Sequence, residues 1–244
     1  MYTDASTESN TDAEQLPATD RVYAALRSAI RAGHVAPWDR LTEKSVASEF
    51  GVSRTPVRES IARLVAEGLL QKHGNGFGLV LPSPDTLGGL YEARLALELQ
   101  GIRRVAQGSA EYDTTQLSAL YDQWRELRAE PPEPAPHLVA LDEAFHCGAL
   151  AAAGEPALVS VLIHINDRIR ALRMYGYTTS DRLATAAEQH LEILDLLFLR
   201  DYATAEIALT EHIITSRHAA LARALHKKPA NGFTGTVPTD AFVF

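Results

Sequence analysis

Residues 41–70, which read LTEKSVASEFGVSRTPVRESIARLVAEGLL, constrain the fold more than any other stretch of the chain. Apolar residues recur at helical spacing on both sides of Gly51, a residue type that tolerates the positive φ of a helix end. Ser53 is a good N-cap for the second helix, and Pro56 is tolerated in its first turn because the N–H groups there have no helical partner. The sequence therefore predicts two helices joined by a tight turn. We expect their buried faces to consist of Leu41, Val46, Ala47 and Phe50, and of Val57, Ile61, Leu64 and Val65.

Two helices in this order are typical of a helix-turn-helix. That motif places the start of its second helix against base edges in the major groove, where cations also reach phosphates. Arg54, Thr55 and Arg58 lie at the exposed start of the second helix. These residues predict a DNA-binding protein.

The same stretch resembles the GntR family of bacterial transcription regulators. The resemblance runs from Arg21 to about Leu81 and rests on SRTPVRE at 53–59, EGLL at 67–70 and a glycine-rich segment after them. It implies a winged fold, a dimer and a palindromic operator. By resemblance, the positions that contact DNA or lie beside the contacts are Lys44, Ser53, Arg54, Arg58, His73 and Gly74.

The chain departs from the family pattern at two places. Trp38 stands where the family usually has glycine, and Asn75-Gly76 stands where many members carry a basic wing residue. The binding mode therefore follows more firmly from the resemblance than the operator sequence does.

The distribution of charge agrees with a DNA-binding segment. The whole chain carries a net charge of −8, but residues 21–82 hold 9 basic and 5 acidic residues, which give +4. Residues 1–20 carry −5 and the remainder carries −7. Because the basic segment coincides with the helix-turn-helix, we expect nucleic acid as its partner and a different role for the rest.

Composition places the chain among globular cytoplasmic proteins. Its 244 residues are enough for two modest domains, and no apolar run approaches membrane-spanning length. The single cysteine fits a reducing compartment, and the first twenty residues lack the features of a signal peptide.

The predicted fold class is mainly α, with an N-terminal winged helix-turn-helix and a C-terminal all-α helical bundle. We expect a disordered acidic leader at 1–20, a winged domain at 21–81, a linker at 82–84, a helical domain at 85–228 and a flexible tail at 229–244. The winged domain should begin with a helix at 21–32 and end in a β-hairpin that turns at Gly-Asn-Gly. We place the helices of the second domain near 84–108, 113–130, 137–153, 156–176, 181–200 and 202–227.

One carboxylate and three imidazoles form a second pattern in the helical domain. Asp142 and His146 are four residues apart on one helix face, and His190 and His212 lie on the core-facing sides of two later helices. These four residues could share a divalent metal with open coordination positions, and mixed N/O ligation suits Zn, Ni, Mn or Fe alike. Alternatively, Asp142 and His146 form a helix pair, and the other two are core histidines bonded to backbone.

The C-terminal half resembles the FCD domain that follows the winged domain in one GntR subgroup. Its Asp-x3-His, His, His pattern is met by the four residues above, and six helices fit the shorter, VanR-like variety. The resemblance implies a metal and a small organic acid as effector. Arg94 is either a clamp on the effector carboxylate or an intrahelical partner of Glu98, and Asn166 is a further candidate for the effector pocket.

The leading interpretation is a ligand-responsive, sequence-specific transcription regulator, a repressor rather than an activator, and not an enzyme. A metal-dependent enzyme acting on a carboxylate is the main alternative, but Glu143 and Glu188 are expected to face away from the four residues, which leaves no general base. In a third interpretation the metal is structural or is itself the signal.

Overall fold

The computed structural model describes residues 16–36, 39–174 and 179–225. The described residues up to Val80 form one compact unit, and those from Leu81 onward form another. Most of the predicted leader, Trp38 and the predicted tail lie outside the described residues. No described helix combines the length and the apolar character needed to cross a bilayer.

The first unit is a winged helix-turn-helix. It contains α1 (Ala18–Ala32), α2 (Glu43–Glu49), α3 (Arg54–Ala66), β1 (Leu70–His73) and β2 (Gly76–Leu79). The strands pair antiparallel, with Leu70 opposite Leu79 and His73 opposite Gly76. The two-residue turn between them forms the tip of the wing, as the sequence predicted.

Local chemistry explains where α2 and α3 begin. Thr42 accepts a hydrogen bond from the Ser45 N–H and its own N–H donates to the Ser45 hydroxyl, so a capping box starts α2 at Glu43. Gly51 then adopts a φ of +59°, which reverses the chain before α3. Ser53 occupies the N-cap position of α3, although its side chain makes no capping hydrogen bond.

One expected helical position and one expected buried position are wrong. Leu41 is not helical, because its backbone exchanges two 2.8 Å hydrogen bonds with Phe77 of the wing before the capping box begins. Val65 is 39% exposed, and Ser60 is buried instead. The Ser60 hydroxyl lies 2.7 Å from the Thr19 carbonyl oxygen, so α1 packs over this part of α3.

The first helix also begins earlier than predicted, at Ala18 rather than Arg21. Two of the three added residues contact α3, since the Asp20 carboxylate accepts a 2.7 Å hydrogen bond from Arg63 and the Thr19 hydroxyl donates to Glu59 over 3.0 Å. Residues 18–20 therefore belong to the helix and not to the acidic leader.

The second unit consists of six α-helices in its described part. They are α4 (Pro84–Ala106), α5 (Thr114–Ala129), α6 (Val139–Ala152), α7 (Pro156–Arg173), α8 (Ser180–Phe198) and α9 (Tyr202–Leu225), with a 3₁₀ turn at Pro136–Leu138 before α6. Helix α4 packs on α9, α5 on α8, and α6 on α7. Their apolar faces bury one core that includes Trp124 and Phe145. The predicted fold class and the predicted number of helices are confirmed.

A side chain at Gly76 should loosen the wing. The Cβ of Gly76→Ala would lie 2.7 Å from the Leu41 carbonyl oxygen, which belongs to the bridge with Phe77. We expect the free energy of unfolding to fall by about 1–3 kcal/mol, as overpacking usually costs. Urea unfolding followed by circular dichroism measures the change.

The control is Asn75→Ala, at the exposed neighbouring turn position, for which we expect a change within about 0.5 kcal/mol. Equal stability of the two variants would show that the close approach of Gly76 to Leu41 does not affect the free energy of unfolding.

Candidate metal centre and nucleic-acid interface

Four side chains from three helices meet in the core of the second unit. Asp142 and His146 come from α6, His190 from α8 and His212 from α9, and each is at most 1% exposed. One potential ligand atom from each lies within 4.8 Å of those of the others. The structure thus brings together all four residues that the sequence singled out.

The spacing of these atoms resembles a coordination shell. The His146 and His212 Nε2 atoms are 3.2 Å apart, and the His190 and His212 Nε2 atoms are 3.3 Å apart. Around a tetrahedral zinc with Zn–N bonds of about 2.0 Å, neighbouring nitrogens lie about 3.3 Å apart. The Asp142 carboxylate oxygens lie slightly farther out, 3.5, 3.7 and 3.9 Å from the Nε2 atoms of His146, His190 and His212.

Hydrogen bonds on the far side of two rings indicate which nitrogens could bind a metal. His146 Nδ1 lies 2.5 Å from Glu98 Oε2, and His212 Nδ1 lies 2.8 Å from Gln189 Oε1. Both oxygens can only accept, so we assign the ring proton to Nδ1 in each case. The two Nε2 atoms then present lone pairs to each other at 3.2 Å, which is repulsive unless a cation lies between them. The residues therefore fit a metal ion.

The electrostatic environment favours the ligating forms of these groups. Burial lowers the pKa of His146, and the Arg94 charge adds to that effect. The pKa values of His190 and His212 lie well below the usual value, because burial and the neighbouring imidazoles disfavour a charged ring. Burial acts to raise the pKa of Asp142, but Arg173 and His146 outweigh it and hold the pKa well below its usual range. Neutral imidazoles and an ionised carboxylate are the forms that bind metals.

Aromatic packing fixes the orientation of His190. The Phe145 ring stacks on it with centroids 3.7 Å apart, and Trp124 meets it edge-on at 4.2 Å. Within the described residues, His190 Nδ1 is buried and has no hydrogen-bond partner. The ring is therefore held by packing, with Nε2 directed at Asp142 and His212.

Arg94 forms the intrahelical pair with Glu98, one of the two alternatives that the sequence left open. It is fully buried on α4, and its Nε donates a 2.7 Å hydrogen bond to Glu98 Oε1, so the intrahelical pair forms. Its two Nη atoms make no hydrogen bond within the described part of the chain, and Nη2 lies 3.9 Å from Asp142 Oδ2. The role of Arg94 as a clamp on an effector carboxylate stays a prediction.

Asn166 on α7 is buried close to α6. Its Nδ2 lies 3.7 Å from Cys147 Sγ, and its Oδ1 has no hydrogen-bond partner among the described residues. Burial is the largest cause that raises the pKa of Cys147, to about 11. This thiol is therefore uncharged at neutral pH.

Two buried arginines escaped the sequence analysis. Arg173 Nη2 hydrogen-bonds to Asp142 Oδ2, and Arg170 Nη2 pairs with Glu143 Oε2. Their three-residue spacing on the apolar α7 was the available signal.

Glu143, expected to face away from the four residues, is 5% exposed, and its Oε1 lies 3.5 Å from Arg173 Nη1. Glu143 is buried because α6 packs on α7, and its carboxylate contacts the arginines of α7. Its expected orientation away from the four residues stays a prediction. Glu188 is exposed.

The residues expected to contact DNA are all exposed on the first unit. Arg58 forms a two-point ion pair with Glu43, in which Nε and Nη2 each lie 3.1 Å from a carboxylate oxygen. Because Arg58 is 69% exposed, solvent screens this pair, and Arg58 can exchange Glu43 for a phosphate or a base. The exposed set is Lys44 on α2, Ser53, Arg54, Thr55 and Arg58 at the start of α3, and His73 and Gly74 at the wing.

Both units are similar to known protein families. Residues 18–79 match the family described as bacterial regulatory proteins, gntR family, and residues 89–215 match the FCD domain. The Nta operon transcriptional regulator of Aminobacter aminovorans is 33% identical over 165 residues, which are 67% of this chain and 76% of the relative. The transcriptional repressor RspR of Escherichia coli is 27% identical over 200 residues, 81% of this chain and 86% of the relative.

Among solved structures, a putative GntR transcriptional regulator from Rhodococcus superposes with a TM-score of 0.69. It is 21% identical and covers 84% of this chain and 97% of its own. At that identity the likeness shows the fold alone.

Loss of the Glu98 charge should be far more costly than loss of an exposed charge. Burial acts to raise the pKa of Glu98, but its His146 and Arg94 contacts outweigh this and lower the pKa from 4.5 to about 2. Glu98→Gln breaks a buried pair and should reduce the free energy of unfolding at pH 7 by about 3–5 kcal/mol. Because the pKa is depressed, the carboxylate stabilises the fold above pH 4.5, and the difference should shrink as the pH falls toward 2.

Glu206→Gln is the matched control. Glu206 also bonds an arginine, Arg103, but that arginine is 46% exposed, so we expect a cost of at most about 1 kcal/mol. Urea unfolding at several pH values measures both variants, and equal costs would contradict the importance of the buried pair.

Proposed function

Because the chain belongs to the GntR family, and carries an FCD domain, it is a DNA-binding transcriptional regulator, and we propose that it is a repressor controlled by a small organic acid through a divalent metal. The observation that carries this proposal is the buried cluster of Asp142, His146, His190 and His212. We assign operator binding to residues 21–81 and effector binding to residues 85–228. We propose that the protein acts in the cytoplasm, where the operator DNA is located.

The proposed DNA-binding surface is the exposed start of α3 together with the wing. Arg54, Thr55 and Arg58 lie in the first turns of α3, where a recognition helix reaches base edges. His73 and Gly74 at the wing and Lys44 on α2 would bind the sugar-phosphate backbone. A homodimer would present two such surfaces to a palindromic operator.

In the proposed effector site, Asp142 and the three histidines hold the metal. Zn, Ni, Mn and Fe all suit three imidazoles and a carboxylate. When bound, the metal would offer a coordination position to a carboxylate oxygen. The two Nη atoms of Arg94, which have no hydrogen-bond partner among the described residues, are suited to hold that carboxylate, and the amide of Asn166 offers a further polar contact.

Effector binding would act on DNA through the dimer. A ligand shifts an equilibrium only by its difference in affinity for the two states. We propose that the carboxylate favours a state in which the paired winged domains fit half-sites poorly. Action as a repressor is supported by the name of the relative RspR. The relatives named above are transcriptional regulators, which gives the enzyme alternative no support.

Removal of either recognition arginine should weaken operator binding. Arg54→Ala or Arg58→Ala is expected to lower the affinity for the specific operator about 5- to 150-fold, the usual loss of 1–3 kcal/mol for a base contact. Fluorescence anisotropy measures this with an operator selected by the wild type from randomised DNA. Circular dichroism checks that the helical domain stays folded.

Arg103→Ala makes the same change on an exposed arginine of the second unit and should leave affinity unchanged. If both α3 variants bind the operator with wild-type affinity, the start of α3 is not the surface that recognises DNA.

Metal content tests the second half of the proposal. The purified protein should contain close to one divalent metal per chain by elemental analysis, and Asp142→Ala/His190→Ala should contain almost none because half of the ligands are gone. His164→Ala/His218→Ala removes two exposed histidines and should retain the metal. If the wild type takes up none of Zn, Ni, Mn or Fe on reloading, the metal assignment fails while the DNA-binding assignment stands.

A further inference from the structure

Seven charged side chains with little exposed surface lie together in the described part of the second unit. They form a connected set, since Arg94 contacts Glu98 and Asp142, Arg173 contacts Asp142 and Glu143, and Arg170 contacts Glu143 and Asp167. Three are cationic and four are anionic, so the set carries a charge of −1 when the imidazoles are neutral. A divalent ion would change this charge to +1. Buried charge without compensation is strongly unfavourable, so metal loading requires a rearrangement or an added anion.

Arg173 contacts the one charged group among the four candidate ligands. Its Nη2 hydrogen-bonds to Asp142 Oδ2, and this same oxygen lies 3.5 Å from His146 Nε2. The carboxylate that would neutralise part of the metal's charge is therefore already paired with a guanidinium. A metal ion and Arg173 would repel each other across a single carboxylate.

The distances favour an exchange of the two cations. The carboxylate oxygens of Asp142 lie 3.5–3.9 Å from the three Nε2 atoms, outside the spacing of about 3.3 Å expected around a tetrahedral metal. Closing that gap moves the carboxylate toward the imidazoles and away from Arg173. A second carboxylate is within reach, because Arg173 Nη1 lies 3.5 Å from Glu143 Oε1.

We propose that Arg173 and the metal are alternative counter-ions of Asp142, and that metal loading releases Arg173 to bind the effector carboxylate together with Arg94. The inference rests on the proposed function. It adds a second arginine to the effector site and makes the metal and the carboxylate bind cooperatively. The anion offsets the positive charge that the metal leaves in the set, so each ligand raises the affinity for the other by the same factor.

A purely orienting role for Arg173 makes the opposite prediction. Ligating carboxylates are often held by an outer hydrogen-bond donor, and removal of that donor weakens metal binding about 10- to 100-fold. If Arg173 instead competes with the metal, its removal strengthens metal binding. The sign of the change therefore separates the two roles.

The experiment measures Zn²⁺ affinity by competition with a chromogenic chelator, in full-length wild type, Arg173→Met and Arg170→Met. Arg170 is the matched control: it is a buried arginine one turn earlier on α7 that pairs with Glu143 and Asp167. We expect Arg173→Met to bind Zn²⁺ at least about tenfold more tightly and Arg170→Met to stay within about threefold of the wild type. Unchanged or weaker binding by Arg173→Met overturns the inference but leaves the metal site intact.

Acetate serves as the carboxylate probe in a second arm. It should raise the Zn²⁺ affinity of the wild type more than that of Arg173→Met, because the variant lacks one of the two arginines that would hold it. An equal rise in both proteins overturns the carboxylate-binding role of Arg173. Absence of Zn²⁺ binding by the wild type overturns the proposed metal site together with this inference.

Arg173→Gln covers the case in which the methionine variant does not fold. Glutamine is neutral but can still donate a hydrogen bond to Asp142. Tighter Zn²⁺ binding by this variant supports competition of charge, and wild-type or weaker binding overturns it.

Discussion

The second unit depends on a set of buried charges that must neutralise one another. An isolated ionised side chain in an apolar core costs several kcal/mol, so each one needs a partner and each partner restricts the helix that carries it. Glu98 connects α4 to His146 of α6, and Asp142 connects α6 to Arg173 of α7. The three imidazoles add α8 and α9 to the same centre. The polar site thus fixes the relative register of five helices, which apolar packing alone does not specify.

The two units use charge in opposite ways. On the first unit the arginines are exposed and paired weakly, as with Arg58 and Glu43, so that partners exchange at little cost. In the core of the second unit Arg94, Arg170 and Arg173 are buried, and a change of partner requires a strong ligand such as a metal or a carboxylate. Exposed pairs suit rapid binding to a charged polymer, whereas buried pairs suit a discrete response to a small molecule.

Sequence periodicity predicted most of the fold and the four clustered residues, because one-turn spacing places Asp142 and His146 on one face. It did not predict Arg173, since an arginine on a helix that carries several charged residues resembles a solvated residue until the packing of α7 on α6 is known. Periodicity also failed for Leu41 and Val65. Leu41 is buried where its backbone pairs with Phe77 of the wing, and Val65 is apolar although it is 39% exposed. Both depend on tertiary contacts that local spacing does not encode.

Helix α4 has a consequence for how a signal could leave the site. It carries Arg94 and Glu98, and it begins at Pro84, four residues after the last residue of the first unit. At 1.5 Å per residue, Arg94 lies about 15 Å along the axis from that first turn. A helix resists bending, so a small tilt of α4 at Arg94 would also displace residue 84. A change at the site could then be transmitted without a chain of side-chain contacts. Substitutions that stiffen or break α4 would change how far residue 84 moves.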